Sequence, residues 1–197
     1  MNIAVTGGLG TGKSTVGKMF ASSLGGEYLD TDRICRNLME PGAQGFCQFI
    51  DQFGHGFLGP DGSVDRIRLR QAVFTDSSVK DGLENILHPL VRQEVARKFQ
   101  IVDELSEDVV VEVPLLFEVG WQEEFDVTVV VYIPEYLCIQ RVSSRDGLSV
   151  SEIKHILDAQ LPIEAKRDRA HFVIDNSGTF ASTTLQLRWV LKNLKRG

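Results

Sequence analysis

Apolar residues follow two rhythms along this 197-residue chain. Nearly continuous apolar runs occur at Asn2–Thr6, Val109–Val113 and Asp126–Ile133, with shorter ones at Glu27–Asp30 and Phe172–Asp175. Short runs rich in β-branched residues read as strands buried on both faces, as in a parallel sheet. Elsewhere the apolar residues recur at helical spacing. Val16, Met19, Phe20 and Leu24 share one face of a helix predicted over 14–24, which Gly25-Gly26 closes. Ser149-Val150-Ser151-Glu152 has the spacing of a capping box, and Ile153, Ile156, Leu157 and Leu161 follow at helical intervals. A last helix is expected over about 180–195.

The stretch from about 35 to 106 differs in character. It holds the turn signals Pro41-Gly42, Gly54, Gly56, Gly59-Pro60 and Asp61-Gly62, with helical patterns at roughly 65–75, 77–87 and 89–105. Pro89 is expected in the first turn of the last of these. The alternation predicts an α/β fold with a five-stranded, mostly parallel sheet flanked by helices. The 35–106 stretch then reads as a helical insertion between strands.

Composition narrows the class without naming a function. The net charge of −6 argues against a general nucleic-acid or membrane-surface binder. No apolar run approaches the roughly 20 residues of a membrane span, and Met1–Val5 lacks the features of a signal peptide. Cys35, Cys47 and Cys138 have no metal or disulfide spacing, and the four histidines lack one too. A cytoplasmic protein is expected.

The chemistry begins at Gly7-Gly8-Leu9-Gly10-Thr11-Gly12-Lys13-Ser14, a full GxxxxGK[ST] match between a strand and a helix. Glycines let successive N–H groups turn toward one phosphate, and the helix start adds the positive end of its dipole. Lys13 is placed to reach the β- and γ-phosphates, and Ser14 to put its hydroxyl on Mg²⁺. Two carboxylates, Asp30 and Asp32, close the second strand. In extended chain they face the same way, and the ends of the first two strands are expected to bring them to the phosphate loop. Either could take a proton from an attacking hydroxyl, or cap the helix that follows. Arg141 and Arg145, four apart, suit a phosphoryl group, although the surrounding charges equally suit a solvated helix pair.

The ordered set of motifs resembles the dephospho-coenzyme A kinase family nearly end to end. It comprises the phosphate loop, Leu29-Asp30-Thr31-Asp32-Arg33-Ile34, Asp61-Gly62, Arg66 with Leu69-Arg70, and His88-Pro89. Val113-Pro114-Leu115-Leu116-Phe117-Glu118, Gln140-Arg141, Gln160, Lys166 and Val173-Ile174-Asp175-Asn176-Ser177-Gly178 complete it. The resemblance implies a P-loop kinase that uses ATP and Mg²⁺ to phosphorylate the ribose 3′-hydroxyl of dephospho-coenzyme A. It implies a core of 1–34, 107–136 and 170–197, a substrate domain over 35–106 and a lid over 137–169. Asp32, Lys13 and Arg141 would be catalytic. Gly8, Gly10, Thr11, Gly12, Lys13, Ser14, Thr15, Arg145 and Asn176 would bind ATP, and Ser14 the metal. Asp32, His88, Arg92, Leu115, Leu116 and Phe117 would meet the acceptor. No nucleic-acid or membrane partner is expected, and a monomer is favoured. The chain departs from the family at Ala170-His171, where an aspartate usually follows the alanine.

Another small-molecule kinase of this architecture, or an ATP-binding regulatory module, are the competing readings. A GTPase would need an Asn-Lys-x-Asp motif, which the chain lacks.

Overall fold

The computed structural model describes residues 1–194, which form two compact units, residues 1–30 with 101–194 and residues 31–100. In the first, β1 (Asn2–Thr6), β2 (Glu27–Asp30), β3 (Val109–Glu112), β4 (Val127–Tyr132) and β5 (Phe172–Asp175) make one sheet. Its order is β2-β3-β1-β4-β5, and every pairing is parallel. β3 is buried at all four positions, which is why the sequence there has no polar alternation.

α1 (Lys13–Leu24) lays Val16, Phe20 and Ala21 on the sheet and ends at Gly25 in the left-handed conformation. α9 (Phe180–Asn193) adds Leu187 and Val190 to the same core. Residue 195, at the end of the helix expected over 180–195, lies outside the described residues. α6 (Glu135–Asp146), α7 (Val150–Asp158) and α8 (Ile163–Arg169) follow β4 in turn. Ser149 and Glu152 close the expected capping box at the start of α7, each side chain bonding the other's backbone.

The second unit is helical: α2 (Thr31–Leu38), α3 (Gln44–Phe53), α4 (Arg66–Thr75) and most of α5 (Ser77–Glu104). Its core gathers Met39, Phe49, Val64, Leu69, Ile86 and Leu90, with Phe53 and Phe57 packed on Phe49 at ring-centroid distances of 5.1 and 5.9 Å.

Two expectations are corrected. Residues 77–87 and 89–105 are not separate helices, because α5 runs unbroken with Pro89 inside it. Proline forfeits one hydrogen bond there, but the apolar residues on both sides keep the helix in register with its neighbours. Asp30 and Asp32 are not alternate residues of one extended segment: Asp30 ends β2 and α2 opens at Thr31, so Asp32 stands in a first helical turn.

Phe49 has no solvent exposure. Phe49→Ala is expected to cost about 3–5 kcal/mol, the usual range for truncating a buried aromatic ring. Urea denaturation followed by far-UV circular dichroism measures it.

Candidate active site

The phosphate loop lies between β1 and α1, and three interactions hold its shape. Lys13 Nζ donates to the Gly8 carbonyl at 2.9 Å, and Thr11 Oγ1 donates to the same oxygen at 3.0 Å. From outside, Asn176 Nδ2 donates to the Thr11 carbonyl at 2.8 Å, while its Oδ1 accepts from Thr183 Oγ1 at 2.8 Å. Gly12 has a φ of 87°, and a Cβ there would stand 2.4 Å from Asn176 Nδ2. Both the backbone angle and the close approach demand glycine. Gly10 is constrained in the same way, since at φ 70° a Cβ would meet Val142 of α6 at 2.7 Å. Cys138, one turn earlier on α6, donates its thiol to the Leu9 carbonyl at 2.8 Å.

Behind the loop stands a carboxylate that the motif reading passed over. Ser14 Oγ donates to Glu112 Oε1 at 3.0 Å, and the Tyr28 hydroxyl donates to Glu112 Oε2. Glu112 is only 5% exposed. It ends β3, paired across from Val5 of β1 on one side and Asp30 of β2 on the other. β3 separates β2 from β1 in the sheet. The carboxylate next to β1 is therefore Glu112, with Asp30 one strand further out. The signal in the sequence was a lone acid closing an otherwise apolar strand. Burial, with Glu112 and then Asp30 beside it, pushes the Tyr28 hydroxyl far above its usual range, so it stays a hydrogen-bond donor.

Of the two arginines on α6, Arg141 turns inward, its Nη2 donating to the Asn176 carbonyl at 2.9 Å. Arg145 is exposed and pairs with Asp146 through two bonds of 2.7 Å. Thr15 is exposed in the first turn of α1. After β3, Leu115 is half-buried, whereas Leu116 and Phe117 are core residues, and Arg169 covers the Phe117 ring at 4.8 Å. Asp32, His88 and Arg92 belong to the other unit, where Asp32 is exposed and the other two are half-buried on α5.

A second tie went unnoticed in the sequence. Lys166 of α8 is fully buried, 2.7 Å from Glu118 Oε1 and donating to the Pro114 carbonyl at 2.9 Å. Glu118 Oε1 also accepts from the Leu161 backbone at 3.0 Å. The segment joining α7 to α8 is thus fastened to the turn after β3. Between that segment, α6 and the phosphate loop lies a cavity of about 260 Å³, reached by Gly8, Leu9, Thr11, Cys138, Gln160 and Leu161. The departure at His171 is explained locally: its Nδ1 accepts from the Thr128 backbone at 3.0 Å, and its own N–H donates to Thr128 Oγ1 at 3.1 Å. An aspartate carboxylate could accept the same bond, so the two residues can serve alike in tying β5 to β4.

The dephospho-CoA kinase family model matches residues 1–182. The chain belongs to the dephospho-CoA kinase family. It is 37% identical over 187 residues to the "Dephospho-CoA kinase" of Desulfotalea psychrophila, covering 95% of this chain and 94% of that one. The crystal structure of TT1252 from Thermus thermophilus superposes with a TM-score of 0.83 at 33% identity, covering 99% of this chain and 98% of that one. A dephospho-CoA kinase from Campylobacter jejuni gives 0.70 at 31%, over 97% and 95%. The fold is accordingly that of a P-loop kinase, its phosphate loop at the end of a central parallel strand.

In this family member the Cys138 thiol is buried against the loop. Burial, and then the charge of Glu135, raise its pKa above the ordinary thiol value. Less thiolate is present at any given pH, so alkylation by N-ethylmaleimide between pH 7 and 8 is expected to be at least about tenfold slower at Cys138 than at exposed Cys47. Peptide mass spectrometry against time measures the ratio.

Proposed function

We propose that this chain transfers the γ-phosphoryl group of ATP to the ribose 3′-hydroxyl of dephospho-coenzyme A, giving ADP and coenzyme A, the last step of coenzyme A synthesis. The observation that carries the reading is a family match over residues 1–182 joined to a complete phosphate loop. The bond from the γ-phosphorus to its bridging oxygen breaks, and a bond to O3′ forms. Asp32 takes the hydroxyl proton, a role its exposed carboxylate can fill in contact with a ligand.

The loop N–H groups from Gly8 through Thr15 cradle the phosphates, and Lys13 exchanges its bond to the Gly8 carbonyl for a phosphate oxygen. The site suits magnesium by its donors. Ser14 Oγ–H donates its hydrogen bond to Glu112, which leaves its lone pairs for a cation, and Glu112 supplies a carboxylate directly behind it. When bound, the ion neutralises charge on the phosphate oxygens. Arg141 steadies the transferring group while anchored to the Asn176 carbonyl, and Arg145 leaves Asp146 for the nucleotide.

Asn176 acts from the ATP side by holding Thr11 in place. His88, Arg92 and Leu115 border the acceptor. Leu116 and Phe117, being buried, hold Leu115 in position from behind. In this reading residues 1–34, 107–136 and 170–197 are the nucleotide core, 35–106 the substrate domain and 137–169 the lid, working as a cytoplasmic monomer.

Asp32→Asn is expected to keep ATP affinity and lower kcat by about 10²-fold or more, as for a lost general base. Coupled measurement of ADP release, with mass detection of coenzyme A, reads this; turnover near that of the unaltered protein removes Asp32 from the role. Lys13→Ala loses a charge-assisted contact to phosphate, so kcat/KM for ATP is expected to fall by about 10-fold or more. An unchanged value contradicts the cradle.

A further inference from the structure

The helical unit contains an apolar pocket of about 150 Å³ that no motif pointed to. Met39, Val64, Leu69, Leu83 and Leu87 form its walls, drawn from the turn after α2, the turn before α4, α4 and α5. Met39, Val64 and Leu69 are buried core residues, whereas Leu83 and Leu87, one turn apart on α5, are only half-buried. The lining is otherwise two arginines, Arg36 and Arg66, and the half-buried Cys35. The pocket is open to solvent, and its apolar walls have room for a compact branched hydrocarbon group, whose burial there removes apolar surface from water.

The helix that supplies the pocket also carries Asp32. Asp32, Arg36 and Met39 recur at i, i+4 and i+7, so they lie along one face of α2 and its last turn. Each step is about one turn, or ~5.4 Å. The order along this face is therefore carboxylate, guanidinium, apolar pocket. Arg66 stands at the pocket as well, 3.0 Å from Glu40; both side chains are more than half exposed. An exposed pair of this kind contributes little and can be exchanged for a phosphate.

Dephospho-coenzyme A has its groups in the same order. Its 3′-hydroxyl is followed, through the ribose and C5′, by a diphosphate, and then by the gem-dimethyl carbon of the pantoyl group. Building on the function proposed above, we propose that this pocket seats the pantoyl gem-dimethyl group, with Arg36 and Arg66 on the diphosphate and Asp32 at the hydroxyl. α2 thereby measures the acceptor from its reacting end to its first apolar branch. A nucleoside monophosphate has nothing to place in the pocket. The pocket thus selects the longer acceptor by burying apolar surface that the shorter one lacks, in addition to pairing charge.

Cys35 reports on occupancy, since a molecule in the pocket covers it. The intact protein is alkylated with N-ethylmaleimide, and Cys35 is followed by peptide mass spectrometry with Cys47 as reference. S-methyl dephospho-coenzyme A is used so that the ligand carries no thiol of its own. At concentrations that saturate turnover it is expected to slow Cys35 by about tenfold or more, and 4′-phosphopantothenate to do so at higher concentration. Adenosine 5′-monophosphate is expected to leave Cys35 unchanged, and Cys47 to be unaffected throughout. Arg36→Ala is expected to raise KM for dephospho-coenzyme A about tenfold with kcat within twofold, the signature of uniform binding. If S-methyl dephospho-coenzyme A is phosphorylated while Cys35 reacts at its free rate, the pocket assignment is overturned and the function stands. Equal protection by adenosine 5′-monophosphate also overturns the assignment. If neither dephospho-coenzyme A nor its S-methyl form accepts phosphate, the function proposed above fails, and the occupant with it.

Discussion

A phosphate loop works only if a run of backbone N–H groups points at one place, and no hydrogen bond within such a run can keep it there. Inside the loop the Lys13 and Thr11 side chains hold the Gly8 carbonyl, and the rest of the shape is imposed from outside. Here the clamp is Asn176, whose amide spans from the Thr11 carbonyl to the Thr183 hydroxyl and lies so close to Gly12 that no side chain fits between them. The backbone of Asn176 in turn accepts from Arg141 and donates to the Tyr132 carbonyl at 2.8 Å. One residue thus ties the loop to β4, α6 and α9. The glycines permit the conformation; Asn176 selects it.

The same economy governs the acidic side of the site. Glu112 is nearly buried, and such a carboxylate is costly unless its oxygens are engaged. Ser14 and Tyr28 engage one oxygen each. This engages the Ser14 hydroxyl as a donor and leaves its lone pairs available as acceptors. Tyr28 keeps its proton because burial and two nearby carboxylates oppose its ionisation. The arrangement is a small polar network with a partner at each carboxylate oxygen, placed where the sheet's central strands end.

The helical unit solves a different problem. It packs its own aromatic core around Phe49 and can therefore hold α2, α4 and α5 around a pocket without drawing on the sheet. Because α2 begins at the residue after β2, the carboxylate in its first turn and the pocket at its last turn share one rigid element. A helix is a better ruler than a loop, since its rise per residue is fixed by its hydrogen bonds.

The chain's local chemistry was sufficient for much of this. Strand runs of β-branched residues, the glycine spacing before Lys13, the Ser149–Glu152 box and the Gly25 terminator each act within a few residues, so periodicity and conformational preference reveal them. They led to the parallel sheet, the phosphate loop and the roles sought for Lys13 and Ser14. What they could not reveal was which strands become neighbours. β3 enters between β1 and β2, bringing in Glu112 from 98 residues beyond Ser14 and moving Asp30 one strand away. Pro89 inside α5, Asn176 against Gly12 and buried Lys166 on Glu118 are of the same kind. Each is decided by burial and by hydrogen bonds between segments far apart in the chain, and those exist only once the segments have packed.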